Sequence, residues 1–508
     1  MPATDALLDA LSGGKKISAE DAKALAAALL PVARARVYPA SFVAGGDKVL
    51  AAGRCAERGR LVIDISKDKS DDAEDAKRLG AYAVTERAWS FDRLRALQGE
   101  LEFLVPRGLG SATSAGLGDR LGSATVGHAR ATMGRGVAPV FAQQSIREMT
   151  RTHRSPRDVM TDAAWGVLAS GWREAWGADA DHLKSTADVD RCAAAGFVLF
   201  TIDPGEHVDD DADGRSGGEL DAALDGLPWE ALETTPADCR ARHVRSADDE
   251  IRFARAAAKY GRAVAHTAKV ARHIASALPP RPFEIEVSVD ETATPTSPFE
   301  HRFVATELAR MGVVPASLAV RFVGEFEKGI DYKGDLEVFR REAVEHAAVA
   351  RELGGYKLSV HSGSDKFSVY PILAEAARGA VHLKTAGTSY LEALRAVSRA
   401  DVELFREVAA VARARYDDDR RTYHVSGSAS DVPEPDGITP KSAGPLLDHV
   451  GARQVFHVTY GSVLDAPATG GGTLGERIRG CLDANEELHW EIVARHIERH
   501  LAPFARMG

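Results

Sequence analysis

The sequence predicts an α/β fold of the (β/α)8 barrel type, with an N-terminal α/β extension and C-terminal helices. Three observations predict it. From about residue 115, short apolar runs recur, each followed by a stretch rich in Ala, Arg, Glu and Leu, an alternation that favours a parallel sheet. Eight or more such units fill about 350 residues, which suits a closed barrel with insertions better than an open sheet. Ionisable side chains gather at the C-terminal ends of these runs, the end at which such barrels build their sites.

In chain order, residues 1–110 form the N-terminal extension. It mixes helical segments (Ser18–Val32, Asp71–Leu79, Phe91–Gln98) with short strands such as Arg60–Ile65 and carries no chemical motif. It reads as a cap or a dimerisation region, so a homo-oligomer is compatible with it. The barrel spans 111–465. Its candidate strands are Gly118–Thr125, Val137–Gln143, Ala175–Asp181, Phe197–Asp203, Phe283–Asp290, Ser317–Val323, Lys357–His361 and Val381–Lys384, with Thr422–Ser426 and Val455–Thr459 as two more. Ten candidates compete for eight places, and the pattern does not say which two lie outside. The acidic, turn-rich stretch near 204–248 reads as an insertion and 426–447 as a loop. Residues 466–508 form a C-terminal helical segment, in which Glu476–Ala502 is amphipathic and packs outside.

The net charge of −10 argues against general affinity for nucleic acid or an anionic membrane, while allowing a local basic pocket. Four scattered cysteines form no CxxC pair, so neither structural disulfides nor a thiolate zinc site is expected. The N-terminus lacks a basic start followed by an apolar run, and no run of about 18 apolar residues occurs, which points to the cytoplasm.

Strand phase locates the chemistry. In FEIEVSVDET, Ile285, Val287 and Val289 share one face, which must pack on helices. That leaves Glu286 and Asp290 pointing into the barrel, with Glu291 just beyond. The same test sends His361, His382 and Lys384 inward, and Arg321 shares a face with Glu325. Asp181 and His182 end their strand, where a turn can bring either one inward. A single inward histidine is more often a satisfied core residue than a ligand. Here His182, His361, His382, Asp181, Glu286 and Asp290 converge on one barrel mouth, and burying them together is costly unless they are paired or bind a metal. Imidazoles with carboxylates suit Zn, Mn, Fe, Ni or Co, so a divalent cation is expected. His424 and His457 lie on the two surplus strands and rank below the first three as ligands.

Two other signals are weaker. Asp209, Asp211, Asp213 and Gly214 imitate a calcium loop, but Leu220 stands where its closing glutamate belongs, so a solvated acidic loop is expected. Thr469–Arg477 has three glycines before a helix but neither the P-loop Lys-Ser/Thr nor the dinucleotide fingerprint, so no nicotinamide is expected.

Several long runs resemble the tagaturonate epimerase family, among them GLGDRLGSATVGH, PVFAQQSIREMTRT, GADADHLKS, EVSVDETATPTSP, YKLSVHSGSDKFSVYP and HLKTAGTSYLEALR. They spread from about 116 to 464; residues 1–110 add little. The resemblance implies a metal-dependent isomerase of hexuronate breakdown that interconverts tagaturonate and fructuronate without nicotinamide. It also implies Asp181 as proton acceptor, Glu286 as proton donor, and His182 and His361 as metal ligands. The third ligand is His382 by strand phase, ahead of His424 or His457.

The two sugar acids differ at C4, whose hydrogen is β to the C2 ketone and not acidic. Two routes remain, transient oxidation by a bound nicotinamide or retro-aldol cleavage of C3–C4, and the missing dinucleotide fingerprint favours retro-aldol. Arg321, Lys366 and Lys384 are candidates for the substrate carboxylate, Gln143 and Gln144 for hydroxyls, and Asp290 for a further substrate contact. The rival readings are a metal-dependent aldose–ketose isomerase and a non-catalytic sugar-acid-binding protein.

Overall fold

In the computed structural model, described here for residues 2–67, 77–278 and 282–505, eight parallel strands close into a barrel. We number them β1 (Ser114–Gly116), β2 (Ala138–Ser145), β3 (Gly177–Leu183), β4 (Leu199–Ile202), β5 (Glu284–Val289), β6 (Ser317–Val320), β7 (Lys357–Val360) and β8 (Val381–Lys384). Each pairs with its neighbours in sequence, and β8 closes onto β1 through His382↔Ser114 and Lys384↔Gly116. The predicted (β/α)8 class is what forms. Outward residues such as Val287, Leu358 and Leu383 are buried against the helical ring, as the alternation required.

Two candidate strands resolve differently. Val455–Thr459 belongs to the helix Val450–Val458, whose Ala452, Val455 and Phe456 fall at helical spacing and are wholly buried. Thr422–Ser426 is a 3-10 turn running into loop, held where Glu327 Oε2 accepts from Ser426 N at 2.9 Å. The first strand lies earlier than expected. Residues 118–124 form a loop because the Asp119 carboxylate accepts from the amides of Leu121, Gly122 and Ala124 (3.1, 2.8 and 2.7 Å), a local alternative to strand pairing.

Before the barrel, six antiparallel strands between Arg36 and Ala88 form a separate sheet, with helices Pro2–Ser12 and Ala19–Ala33 packed against it. The helix expected over 71–79 falls mostly outside the described residues, and its last part, Lys77–Leu79, is a strand. Between β4 and the long helix Ala247–Ala277 lie the helices Gly217–Asp225 and Pro236–His243. The calcium-like loop there is a 3-10 turn whose carboxylates face cations: Asp209 meets Arg215 at 2.6 Å and Asp213 meets the buried Lys259 at 2.8 Å. The loop expected over 426–447 ends in a helix, Pro440–Leu446.

The C-terminal part comprises the helices Leu474–Ala484 and Glu486–Leu501. The second packs on the barrel helices Thr125–Thr132 and Thr388–Ala400. The Gly-rich run before the first offers no anion site: Thr473 and Glu476 cap that helix reciprocally. Among the described residues, no helix is long and apolar enough to cross a membrane.

Candidate active site

The C-terminal ends of β3, β5, β7 and β8 meet at one mouth. On β3, Asp179 and Asp181 point inward with period two. A bulge then sets both Asp181 and His182 opposite Thr201 of β4, since Ala180 pairs with Phe200 but Leu183 with Ile202. His182 accommodates the bulge at φ +53, a left-handed conformation that costs a non-glycine residue about 1 kcal/mol or more. Just past β7, Ser362 (φ +50) and Asp365 (φ +63) share this conformation, so the backbone on both sides of the mouth is bent to aim side chains.

His182, His361 and Asp290 bring one ring nitrogen each and a carboxylate oxygen to within 4.8 Å of one another. The two rings lie 4.9 Å apart, centroid to centroid. His182 Nδ1 lies 2.7 Å from Asp181 Oδ1, which leaves its Nε2 facing the group. His361 Nε2 lies 2.7 Å from Glu286 Oε1, which leaves its Nδ1 facing Asp290 Oδ1 at 3.1 Å. A carboxylate behind each imidazole fixes ring and tautomer as in carboxylate–histidine–metal arrangements.

Charge balance supports the same reading. Lys384 Nζ is ringed by Asp179 (2.9 Å), Asp181 (2.7 Å) and Glu286 (2.7 Å), with Thr201 Oγ1 at 2.7 Å. Burial opposes its charge, but the three carboxylates hold it well above the ordinary lysine range. Asp179, Asp181, Glu286 and Asp290 are four carboxylates against this one lysine. Burial, then Asp181 and Glu286, lifts the Asp179 carboxyl to about 6 despite Lys384. Burial also works against a charged His361, but Asp290 and Glu286 outweigh it and raise the ring to about 10. Protons on imidazole thus stand in for positive charge that the site needs. Two imidazoles and a carboxylate supported in this way fit a divalent cation.

The cavity over this group measures about 350 Å³, room for a six-carbon sugar acid. Asp181, His182, Asp290, Arg321, His361 and Lys384 line it, together with Arg120, Arg147, Glu291, Lys328, Tyr423, His424 and His457.

Residues 38–504 match the family model described as tagaturonate epimerase. The chain belongs to the tagaturonate epimerase family. A tagaturonate/fructuronate epimerase of Thermotoga maritima is 44% identical over 458 residues, covering 88% of this chain and 92% of that protein. The native crystal structure of fructuronate-tagaturonate epimerase UxaE from Cohnella laeviribosi superposes with a TM-score of 0.85 at 31% identity, covering 94% of this chain and 99% of that one. A one-glycerol complex of the same protein gives the same TM-score and identity over 96% and 99%. As a member of the tagaturonate epimerase family, the chain is an enzyme of the isomerase class.

Within this epimerase-family site the structure distributes the sequence-selected residues unequally. His382 does not join His182 and His361. It pairs in register with Ser359, two residues below His361, and its Nδ1 lies 2.9 Å from Ser114 Oγ. Burial, with Lys357 and Lys384 nearby, depresses it to about 3, so it is a neutral core imidazole. Asp290, selected for substrate, occupies the third position instead. Glu286 is fully buried behind His361 and does not line the cavity. Gln143 Nε2 donates to Asp181 Oδ2 at 2.8 Å, whereas the buried Gln144 amide, on the opposite strand phase, has no hydrogen-bond partner among the described residues. Lys366 lies outside the cavity. Its Nζ donates to the carbonyls of Glu327, Ile330 and Ser364, and burial lowers it to about 7. Sequence reasoning missed Arg120, Lys328 and Tyr423, which arrive on loops with no period to read, and Arg147, on the helix Ile146–Arg151, which is too short to show one.

Proposed function

We propose that this protein interconverts D-tagaturonate and D-fructuronate by epimerisation at C4 in hexuronate catabolism, with a divalent cation held by His182, Asp290 and His361. The observation that carries the reading is the two-histidine, one-carboxylate group inside a hexose-sized cavity of a tagaturonate epimerase family chain. A cation bound there supplies a Lewis acid beside the developing negative charge. The remaining work falls to side chains.

Asp181 lines the cavity and accepts the C4 hydroxyl proton. The C3–C4 bond then breaks, its electron pair moving toward the C2 carbonyl oxygen, which leaves a three-carbon enediolate and an aldehyde that comprises C4–C6. Rotation presents the aldehyde's other face, the bond re-forms, and the proton returns to the C4 oxygen. Glu286 reaches this exchange through Lys384 Nζ, which touches both Glu286 Oε1 and Asp181 Oδ1 at 2.7 Å. Gln143 orients Asp181. Sharing one ammonium lets the two carboxylates trade a proton without either being left as an unpaired buried charge.

The test is turnover of ketohexuronates in D2O followed by NMR. The expected result is C4 epimerisation with protium kept at C4, lost on chelation and restored by one divalent metal. Deuterium entering C4 at the rate of epimerisation would overturn the retro-aldol route. Hydrogen transfer between C1 and C2 would indicate the aldose–ketose isomerase instead.

A further inference from the structure

Five lysine and arginine side chains line the cavity, and four are already engaged. Lys384 is bound by three carboxylates. Arg120 Nε donates to Glu148 at 2.8 Å and its Nη1 to the His457 carbonyl at 2.9 Å. Lys328 Nζ donates to Ser362 Oγ at 2.6 Å, and Arg321 Nη1 donates to the Thr292 carbonyl. Arg147 differs. Among the described residues, no hydrogen bond or ion pair uses its guanidinium. Its contact is the Tyr423 ring, 5.1 Å from Cζ to centroid. That contact engages none of its N–H groups with a protein acceptor, and these are the groups that bind a carboxylate in bidentate fashion. Arg147 follows β2 by two residues and shares the cavity wall with Asp181, His182 and Glu291.

We propose that Arg147 is the anchor for the substrate carboxylate and holds the aldehyde fragment through its rotation. This inference rests on the epimerase reading. Cleavage of C3–C4 leaves the carboxylate on the C4–C6 aldehyde, the fragment that must turn over without escaping. A paired guanidinium fixes C6 while the C4–C5 bond rotates, so one contact provides both uronate selectivity and fragment retention.

The experiment compares wild-type enzyme with Arg147→Met and Arg147→Lys. It measures kcat and KM for tagaturonate, inhibition by the neutral ketohexose tagatose, free aldehyde captured by a hydrazine, metal content and thermal midpoint. Truncating one partner of a charge pair corresponds to a loss on the order of 30-fold or more, so Arg147→Met should raise KM for tagaturonate by that factor. Inhibition by tagatose should stay unchanged, trapped aldehyde per turnover should rise, and Arg147→Lys should fall between. Metal content and midpoint should match wild type, since no protein hydrogen bond is lost. An unchanged KM with no added aldehyde overturns the anchor while the epimerase reading stands. An equal loss for tagatose also overturns it, because the residue then shapes the pocket and does not read charge. Absence of wild-type turnover on any ketohexuronate refutes the epimerase reading and takes this inference with it.

Discussion

Replacing Lys384 by Met keeps the length of the side chain and removes the only ammonium among Asp179, Asp181 and Glu286. Breaking a buried ion pair by removing one partner costs about 3–5 kcal/mol, because the charge left behind is uncompensated. The molecule can reduce that cost by taking up a proton. Asp179 is the group nearest to doing so: its carboxyl is already at about 6 with Lys384 pulling it down, and losing that ammonium pushes it further up. Lys384→Met should therefore destabilise by about 3 kcal/mol, with Asp179 neutral in the variant. Asp179→Asn alone should change stability by less than about 1 kcal/mol, since it mimics that nearly accessible form. In the Lys384→Met background the same change should restore about 1–2 kcal/mol. Urea unfolding with an unchanged m-value, closed into a double-mutant cycle, measures all three quantities. If Lys384→Met unfolds within about 0.5 kcal/mol of wild type, or Asp179→Asn is as damaging as Lys384→Met, the charge accounting is wrong.

Metal stoichiometry separates the histidines: His361→Ala or Asp290→Asn should abolish tight binding of one divalent cation, whereas His382→Gln should retain it, as elemental analysis after dialysis will show. Asp181→Asn should lower turnover by about 10²- to 10⁴-fold with the metal still bound, and Glu286→Gln should do the same through the shared Lys384, both read by steady-state kinetics. Away from the site, Glu307 accepts from Arg242 (3.0 Å), His243 (2.8 Å) and Arg310 (2.9 Å). Burial opposes its charge, but these donors hold its carboxyl at about 2 against an ordinary 4.5. Because the folded value is depressed, the stabilisation is complete above about pH 4.5 and fades as pH falls toward 2. It amounts to at most about 3 kcal/mol. Glu307→Gln should forfeit this at neutral pH and flatten the acid limb of the unfolding midpoint between those values; an unchanged limb would refute the assignment.

Strand alternation made the barrel and the faces of its strands legible, but it encodes direction and not depth. Glu286, His361, His382 and Lys384 all point inward as their apolar neighbours required. Nothing in the pattern says that His382 lies two residues below His361, level with Ser359, where a neutral imidazole that meets Ser114 through Nδ1 belongs to the core. Depth follows from register between strands distant in sequence, and register is set by closure of the whole sheet. The bulge that turns His182 inward was hidden for a related reason: it depends on how β3 meets β4, not on the residues of β3 alone. The β-branched run around Val455 shows local preference giving way to burial of a helical stripe. Arg147 and Tyr423 were beyond any periodic reading, since one lies on a six-residue helix and the other on a loop, and they meet only when the fold is complete. The barrel therefore supplies inward groups at fixed heights, readable in phase, while the segments that follow the strands add groups that carry no period. In the proposed mechanism the chemistry falls to Asp181, His182, Glu286, Asp290 and His361. The proposed anchor then leaves the choice of a uronate over a neutral sugar to Arg147, on the short helix that follows β2.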